Sequence, residues 1–137
     1  MDAILEALRA GLPVLVTQFG LTLALLMIGA AIYMAITPFH EMALVRQGNT
    51  AAGVVLAGTL ISIAIPLGAT LATSRLTLDI LIWGIVALVL QLVTFGIASL
   101  LIRGLRGMIE AGNLAAAWVL VGIQLAVAIL NAGAMAG

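Results

Sequence analysis

The chain has 137 residues, of which 65% are hydrophobic and 7% charged, with five basic residues balanced by five acidic ones and no cysteine. Soluble domains are about 45–50% apolar and about 25% charged, and a domain of this size cannot bury so much apolar surface. These values exclude a soluble enzyme, a nucleic-acid-binding protein and a disordered chain. They predict an integral membrane protein that has no disulfide, metal site or cofactor.

The N-terminal residues 1–11 are predicted to form a short interfacial helix. Three of their apolar side chains fall on one helical face, and Gly11 and Pro13 are expected to end the helix. The charges before the first apolar run are mixed rather than positive. We therefore expect that run to be a retained helix and not a cleaved signal peptide.

Four apolar stretches predict four transmembrane helices in a single all-α membrane domain over residues 1–137. A spanning helix needs about 20 mostly apolar residues, and each stretch has between 21 and 23. Every charged residue and the one histidine lie outside them, so no acid–base group is expected within the hydrocarbon. The stretches are 14–36, 51–72, 80–102 and 114–134.

The first span is followed directly by a short polar motif, residues 37–41. Pro38 suits the first position of a new helix, with Thr37 as its N-cap. Two interpretations of the adjacent His40 and Glu41 stay open. In the first, the pair forms a proton or cation site at the mouth of a pathway. In the second, the His40 ring lies at the membrane interface and the Glu41 carboxylate complements the start of a helix. One His and one Glu do not make a metal site.

A partial repeat with an offset of 64 residues predicts two paired-span halves, about 14–72 and 80–134, in parallel orientation in the membrane. Its clearest element is a Gly-Asn pair before the second and fourth spans. The Gly is expected to end the preceding segment in a left-handed conformation, and the Asn to cap the next helix. Alternatively, these helix starts bind an anion or a lipid phosphate. The pairs are Gly48-Asn49 and Gly112-Asn113.

Apart from Gln18 near one end of the first span, three amide side chains lie within the apolar spans: Gln91, Gln124 and Asn131. Lipid cannot satisfy an amide's donors and acceptors, so we expect all three to face protein or a wet cavity. They serve as interhelical hydrogen-bonding groups, or they line a path for a solute or ion. Pro66 lies within the second span and is predicted to kink it, freeing a carbonyl near Ser62.

Small residues recur at four-residue spacing on the second and fourth spans. This spacing lets helix backbones approach closely in a membrane. Four spans cannot bury all of these faces against one another, so we expect a homo-oligomer. The packing residues are Gly58, Ser62, Ala64, Gly68, Gly122 and Ala126.

The distribution of arginines predicts the orientation. The connections after the first and third spans hold three arginines, and the N-terminal tail and the remaining connection hold two. This excess favours a topology in which the connections after the first and third spans lie in the cytoplasm and both termini lie in the periplasm. Tyr33, Trp83 and Trp118 lie near span ends and are predicted to belong to interfacial aromatic belts.

Several short motifs occur together along the chain. They are Thr37-Pro38-x-x-Glu41, 48–52, 58–60, 65–67, Trp83-Gly84, 87–89, Gln91-Leu92 and Asn131-Ala132. In combination they resemble the YjfL-like family, catalogued as domain of unknown function 350. The resemblance implies a small bacterial inner-membrane protein with four spans in two paired repeats, and it implies membrane-stress proteins as neighbours. Many members have a Cys where this chain has Gly133 or Ala134, so no thiol role is carried over.

Two functional hypotheses follow. The first is a non-enzymatic protein that self-assembles in the inner membrane and supports envelope integrity or the membrane-stress response, with a peripheral membrane-stress protein as a partner. The alternative is an oligomeric channel or small transporter for an ion or small solute. An intramembrane enzyme is disfavoured, because no nucleophile-and-base arrangement is evident.

Overall fold

The computed structural model describes residues 1–37 and 40–136, and every regular element in these ranges is an α-helix. Four of the helices, α1, α3, α4 and α6, are long and apolar enough to cross a membrane. The helices are α1 (Asp2–Ile36), α2 (Glu41–Arg46), α3 (Thr50–Thr73), α4 (Thr77–Leu101), α5 (Leu105–Glu110) and α6 (Leu114–Ala136).

The first helix differs from the prediction, because the break at Gly11 and Pro13 is absent and α1 continues through both residues. The predicted separate helix over 1–11 is therefore the first part of α1. The apolar sequence continues on both sides of the proline, and backbone groups near a membrane favour internal hydrogen bonds. With 35 residues, α1 is about 52 Å long, against about 36 Å for the 24 residues of α3.

The helices pack into a bundle in which α3 and α6 share the most extensive interface. Gly58 brings these two helices together, because a Cβ atom added there would lie 2.5 Å from a methyl group of Val121. Helix α4 packs on α3 and α6, and α1 packs on α3 and α4. The short helices α2 and α5 lie against α3 and α6.

The interior has two apolar clusters with a polar layer between them. The corner cluster, which includes Val55, Phe95 and Leu120, lies on the side of α2 and α5. The far cluster consists of Leu25, Ile63, Leu67, Ile80 and Leu88. Along α3 and α4 the polar layer falls between them, with Thr59, Ser62, Gln91 and Thr94, and Gln124 of α6 completes it.

Two similar corners join the helices at one end of the bundle. The first corner is residues 40–53, with α2 and the start of α3, and the second is residues 104–117, with α5 and the start of α6. The Asn49 side-chain nitrogen of the first corner donates to the Ile109 and Glu110 carbonyl oxygens of the second, at 2.9 and 3.1 Å. Both corners therefore lie at the same end, which we call the corner end.

Candidate functional site

A buried carboxylate distinguishes the first corner. Glu41 is the first residue of α2 and is only 2% exposed. Neither of its carboxylate oxygens has a hydrogen-bond partner among the described residues. The helix-start position agrees with the sequence interpretation, and α2 turns this side chain into the protein.

Tyr33 of α1 is the aromatic neighbour of this carboxylate. Its ring meets Phe95 edge to face, with centroids 4.7 Å apart and planes at 81°. Its hydroxyl is buried without a hydrogen-bond partner among the described residues, although it lies close enough to affect Glu41. The prediction of an interfacial belt position is therefore wrong for Tyr33, because its ring packs into the corner cluster. Trp83 and Trp118 are exposed, as expected of belt residues.

The burial of Glu41 changes its acid–base behaviour. Loss of hydration raises the pKa of the Glu41 carboxyl to about 7, and the Tyr33 and Thr37 hydroxyls oppose this shift. The group therefore changes charge near neutral pH. A buried carboxyl that titrates in this range is typical of functional sites.

The other members of the polar motif do not join Glu41 in a ligand cluster. His40 is exposed and precedes α2 without a side-chain cap bond. Thr37 ends α1, and its hydroxyl donates back to the Tyr33 carbonyl oxygen. The predicted N-cap at Thr37 is therefore wrong, because α2 begins only at Glu41; Pro38 lies outside the described residues. Within the described ranges, no three His, Asp or Glu side chains converge to hold a metal.

The polar layer ties three helices together. The Thr59 hydroxyl of α3 donates to Gln124 Oε1 of α6 at 3.2 Å. Gln91 Nε2 of α4 donates to the Gln124 backbone oxygen at 3.3 Å. Gln91 Oε1 is buried without a partner in the described part of the chain. These contacts serve as interhelical hydrogen bonds, and they leave one acceptor unused at the middle of the bundle.

The polar layer and Glu41 form a continuous series of polar groups. The Tyr33 hydroxyl lies beside Thr59 on one side and Glu41 on the other. The Thr59 hydroxyl in turn donates to the Gln124 side chain, and the Gln91 side chain donates to the Gln124 backbone oxygen. Sequence reasoning identified Glu41, Gln91 and Gln124 but missed Tyr33 as the link, because a tyrosine near a span end usually faces the interface.

The third amide belongs to a different part of the molecule. Asn131 lines a cavity of about 660 Å³ at the end of the bundle away from the corners. Thr70, Asp79 and Trp83 share its wall. The sequence predicted that Asn131 would face protein or a wet cavity, but it did not indicate that three helix ends meet to form this one. We call this the cavity end.

Both Gly-Asn pairs adopt cap geometry. Gly48 and Gly112 have left-handed φ values of 81° and 82°, a conformation that favours glycine. Asn49 Oδ1 accepts from the Ala52 N–H at 3.0 Å, and Asn113 Oδ1 accepts from the Ala116 N–H at 3.1 Å. Each asparagine oxygen is thus engaged with the start of its own helix.

The predicted packing residues fall into two groups. Gly58 and Ser62 are buried within the bundle, as is Pro66, through which α3 continues without a break. The bend expected at Pro66 stays a prediction. Ala64 is half-buried, and the remaining three are on the outside of the bundle. Those three are Gly68, Gly122 and Ala126.

Four helices of membrane-spanning length, short corners at one end and buried amides in the interior define a multi-pass α-helical membrane protein. The model of the family described as Domain of Unknown Function (DUF350) matches residues 7–135. The chain belongs to this family.

Two relatives support the same assignment. The chain is 35% identical over 117 residues to the "UPF0719 inner membrane protein YjfL" of Escherichia coli strain K12, covering 85% of this chain and 89% of the relative. The protein with that name from Escherichia coli O157:H7 matches with the same identity and coverage. No solved structure matches the chain. The protein is therefore a multi-pass protein of the inner membrane.

Proposed function

We propose that this protein is a non-enzymatic subunit that self-assembles in the inner membrane and supports the integrity of the bacterial envelope. The observation that carries this proposal is the small-residue surface left on the outside of the bundle. We call it the assembly face. It consists of two patches: Gly68 and Ala72 of α3 beside the half-buried Ala64, and Gly122 and Ala126 of α6.

The contact at Gly58 illustrates how such a face works. At Gly58 the α6 helix comes so close that no side chain fits. Gly68 and Gly122 have the same spacing to a small neighbour, but nothing lies within 4 Å of an added Cβ atom. Close backbone approach favours helix association in lipid through dispersion contacts and interhelical hydrogen bonds. A second copy of the chain would supply the missing partner.

Native mass spectrometry in detergent tests the assembly. We expect an oligomer for the wild type, a smaller species for Gly122→Leu and no change for Gly96→Leu, because Gly96 is an equally open glycine outside the assembly face. A monomeric wild type, or a Gly122→Leu oligomer of unchanged mass, contradicts the proposal.

In the proposed orientation both corners lie in the cytoplasm and both termini lie in the periplasm. The two repeat halves then have the same orientation in the membrane. Arg46 and Arg106 at the corner end support this orientation by the positive-inside tendency. Matching caps 64 residues apart support the repeat. The native chain has no cysteine, so membrane-impermeant labelling of Arg46→Cys and Arg75→Cys reports each side separately. Labelling of Arg46→Cys from the periplasm contradicts the orientation.

The corner end is the surface that we assign to a peripheral membrane-stress protein. Helices α2 and α5 expose charged side chains there, including Arg46 and the ion pair of Arg106 with Glu110 at 3.0 Å. The family resemblance supports this choice of partner. The lack of cysteine and the exposed position of the one histidine support a role without catalysis.

A second candidate function is passage of an ion or small solute. The continuous series of polar groups from Glu41 through Tyr33 and Thr59 to Gln91 favours it, because such groups are rare at membrane depth unless they serve function or packing. Flux measurements on reconstituted protein distinguish the two functions. Robust flux that Gln91→Leu abolishes would replace the assembly proposal, whereas flux equal to that of empty vesicles removes this candidate.

A further inference from the structure

The cavity end of the bundle holds a cavity with both charged and apolar walls. It lies where α3 ends, α4 begins and α6 ends, and its volume is about 660 Å³. Pockets for small ligands range from about 300 to 1,000 Å³. The cavity is separate from Glu41, which lies at the corner end.

One wall presents an unused hydrogen-bond donor. Asn131 is 8% exposed, and its side-chain nitrogen has no acceptor among the described residues. A buried amide donor without a partner is unfavourable. A ligand that presents an oxygen acceptor to this nitrogen would remove that penalty.

The opposite wall presents a negative charge beside an aromatic ring. Asp79 and Trp83 are one helical turn apart on α4, and both line the cavity. In the part of the chain that the structure describes, Asp79 has no cationic side chain within 4 Å, and even Arg75, four residues earlier, is not paired with it. A carboxylate next to an indole face is a favourable site for an organic cation.

We propose that this cavity binds an ammonium group that has an oxygen acceptor a few bonds away, as in ethanolamine and in the headgroup of phosphatidylethanolamine. The ammonium lies between the Asp79 carboxylate and the Trp83 ring. The oxygen accepts from the Asn131 side-chain nitrogen. Val86 and Leu90, which also line the cavity, contact the methylene groups of the ligand.

Other classes of ligand leave part of this wall unmatched. An anion would be repelled by the Asp79 carboxylate. A neutral apolar molecule would leave both Asp79 and the Asn131 donor without a partner. A metal ion finds a single carboxylate, fewer ligands than a stable site requires. The combination of one acid, one indole and one free amide donor therefore selects a small organic cation with an acceptor.

Tryptophan fluorescence of the full-length protein tests the proposal. Trp118→Phe leaves Trp83 as the sole tryptophan, because the chain has two. Ethanolamine is added to this protein in detergent, and phosphatidylethanolamine is compared with phosphatidylglycerol in nanodiscs. We expect a saturable signal with ethanolamine or with phosphatidylethanolamine. Ethylene glycol, which lacks the ammonium, should give none.

Variants locate the binding. In the sole-tryptophan background, Asp79→Asn and Asn131→Leu should each weaken the response at least tenfold. Glu6→Gln removes an exposed carboxylate of α1 and should leave the response unchanged. Helix content by circular dichroism checks that each variant is folded.

The outcomes separate the sources of the ligand. A response to ethanolamine in detergent means that the headgroup chemistry alone is sufficient, and a response only to phosphatidylethanolamine means that the site takes the lipid. The proposal is overturned if neither probe gives a saturable signal, if ethylene glycol acts like ethanolamine, or if folded Asp79→Asn responds like its parent.

Discussion

The first corner and the second corner have matching backbones from the short helix onward and differ in one decisive side chain. In each, a six-residue helix ends at a left-handed glycine and an asparagine caps the next helix. The Asn49 N–H donates to the Leu44 carbonyl oxygen at 2.9 Å, and the Asn113 N–H donates to that of Met108 at 2.8 Å. The first residue of the short helix is Glu41 in one corner and Leu105 in the other.

The difference matters because both positions are buried. Leu105 is 4% exposed and belongs to the corner cluster, where an apolar side chain is the favourable choice. Glu41 occupies the corresponding place with both oxygens unpaired in the described ranges. The second corner thus provides an internal standard for what packing alone requires. Measured against it, an ionised Glu41 is expected to destabilise the fold.

Placing the side chain of each corner in the other, as two separate variants, is expected to change the stability of the fold most. Leu105→Glu buries a carboxyl in an apolar cluster and should destabilise the fold by more than about 3 kcal/mol. Glu41→Leu should raise the midpoint of thermal unfolding in detergent, since it removes an unpaired buried carboxyl. Met42→Glu, at an exposed position of α2, is the control and should have little effect. A lower melting midpoint for Glu41→Leu would show that Glu41 makes a stabilising contact.

The pH dependence of stability should come from the first corner alone. Because the pKa of folded Glu41 is raised from 4.5 to about 7, the fold is most stable below pH 4.5, and this stability is lost as the pH rises from 4.5 through 7. The wild type should lose about 3 kcal/mol relative to Glu41→Gln across this window. Unfolding by denaturant at pH 4.5 and pH 8.5 measures the difference. Glu110→Gln at the exposed end of α5 should retain the wild-type dependence.

The two cap asparagines should differ in strength. The Asn49 side chain caps α3 and also donates to two carbonyl oxygens of α5. Asn113 is exposed, and among the described residues its side chain makes only the cap bond. Asn113→Ala should therefore cost about 1 kcal/mol, and Asn49→Ala about 2–3 kcal/mol. Chemical denaturation of both variants checks this order. Equal losses would mean that the contacts between the corners contribute nothing.

The two glycines that precede the cap asparagines, Gly48 and Gly112, should be equivalent. Their φ values differ by only one degree, at 81° and 82°, and a Cβ atom at either would meet no neighbour within 4 Å. Gly48→Ala and Gly112→Ala should each cost about 1–2 kcal/mol from backbone strain alone. The same denaturation experiment measures both, and a clear difference would show that one corner relaxes more easily than the other.

Much of this fold was predictable, because apolar run length and cap chemistry are local properties. The four spans and both Gly-Asn caps depend on residues that are close in sequence. The continuity of α1 through Pro13 was not predictable, since local signals favour a break there and the surrounding apolar sequence overrides them. The burial of Glu41 was not predictable either, because it depends on how α2 turns against α1 and α3.

The candidate sites show the same division. The amides Gln91, Gln124 and Asn131 could be recognised as protein-facing from composition alone, because lipid cannot satisfy them. Which partners they meet depends on helix packing, and Asn131 faces a cavity rather than the polar layer. No sequence motif singled out Asp79, and only the meeting of three helix ends places it at one cavity with Trp83 and Asn131.

The central claim is that Glu41 is a buried carboxyl that takes up a proton near neutral pH. Infrared spectroscopy of the full-length protein, with Glu41→Gln subtracted, follows the protonated carboxyl band of this one residue as the pH changes. We predict a titration midpoint at about 7. A midpoint at 4.5, the ordinary value for a glutamate, would mean that Glu41 is hydrated like a surface residue and would contradict the claim.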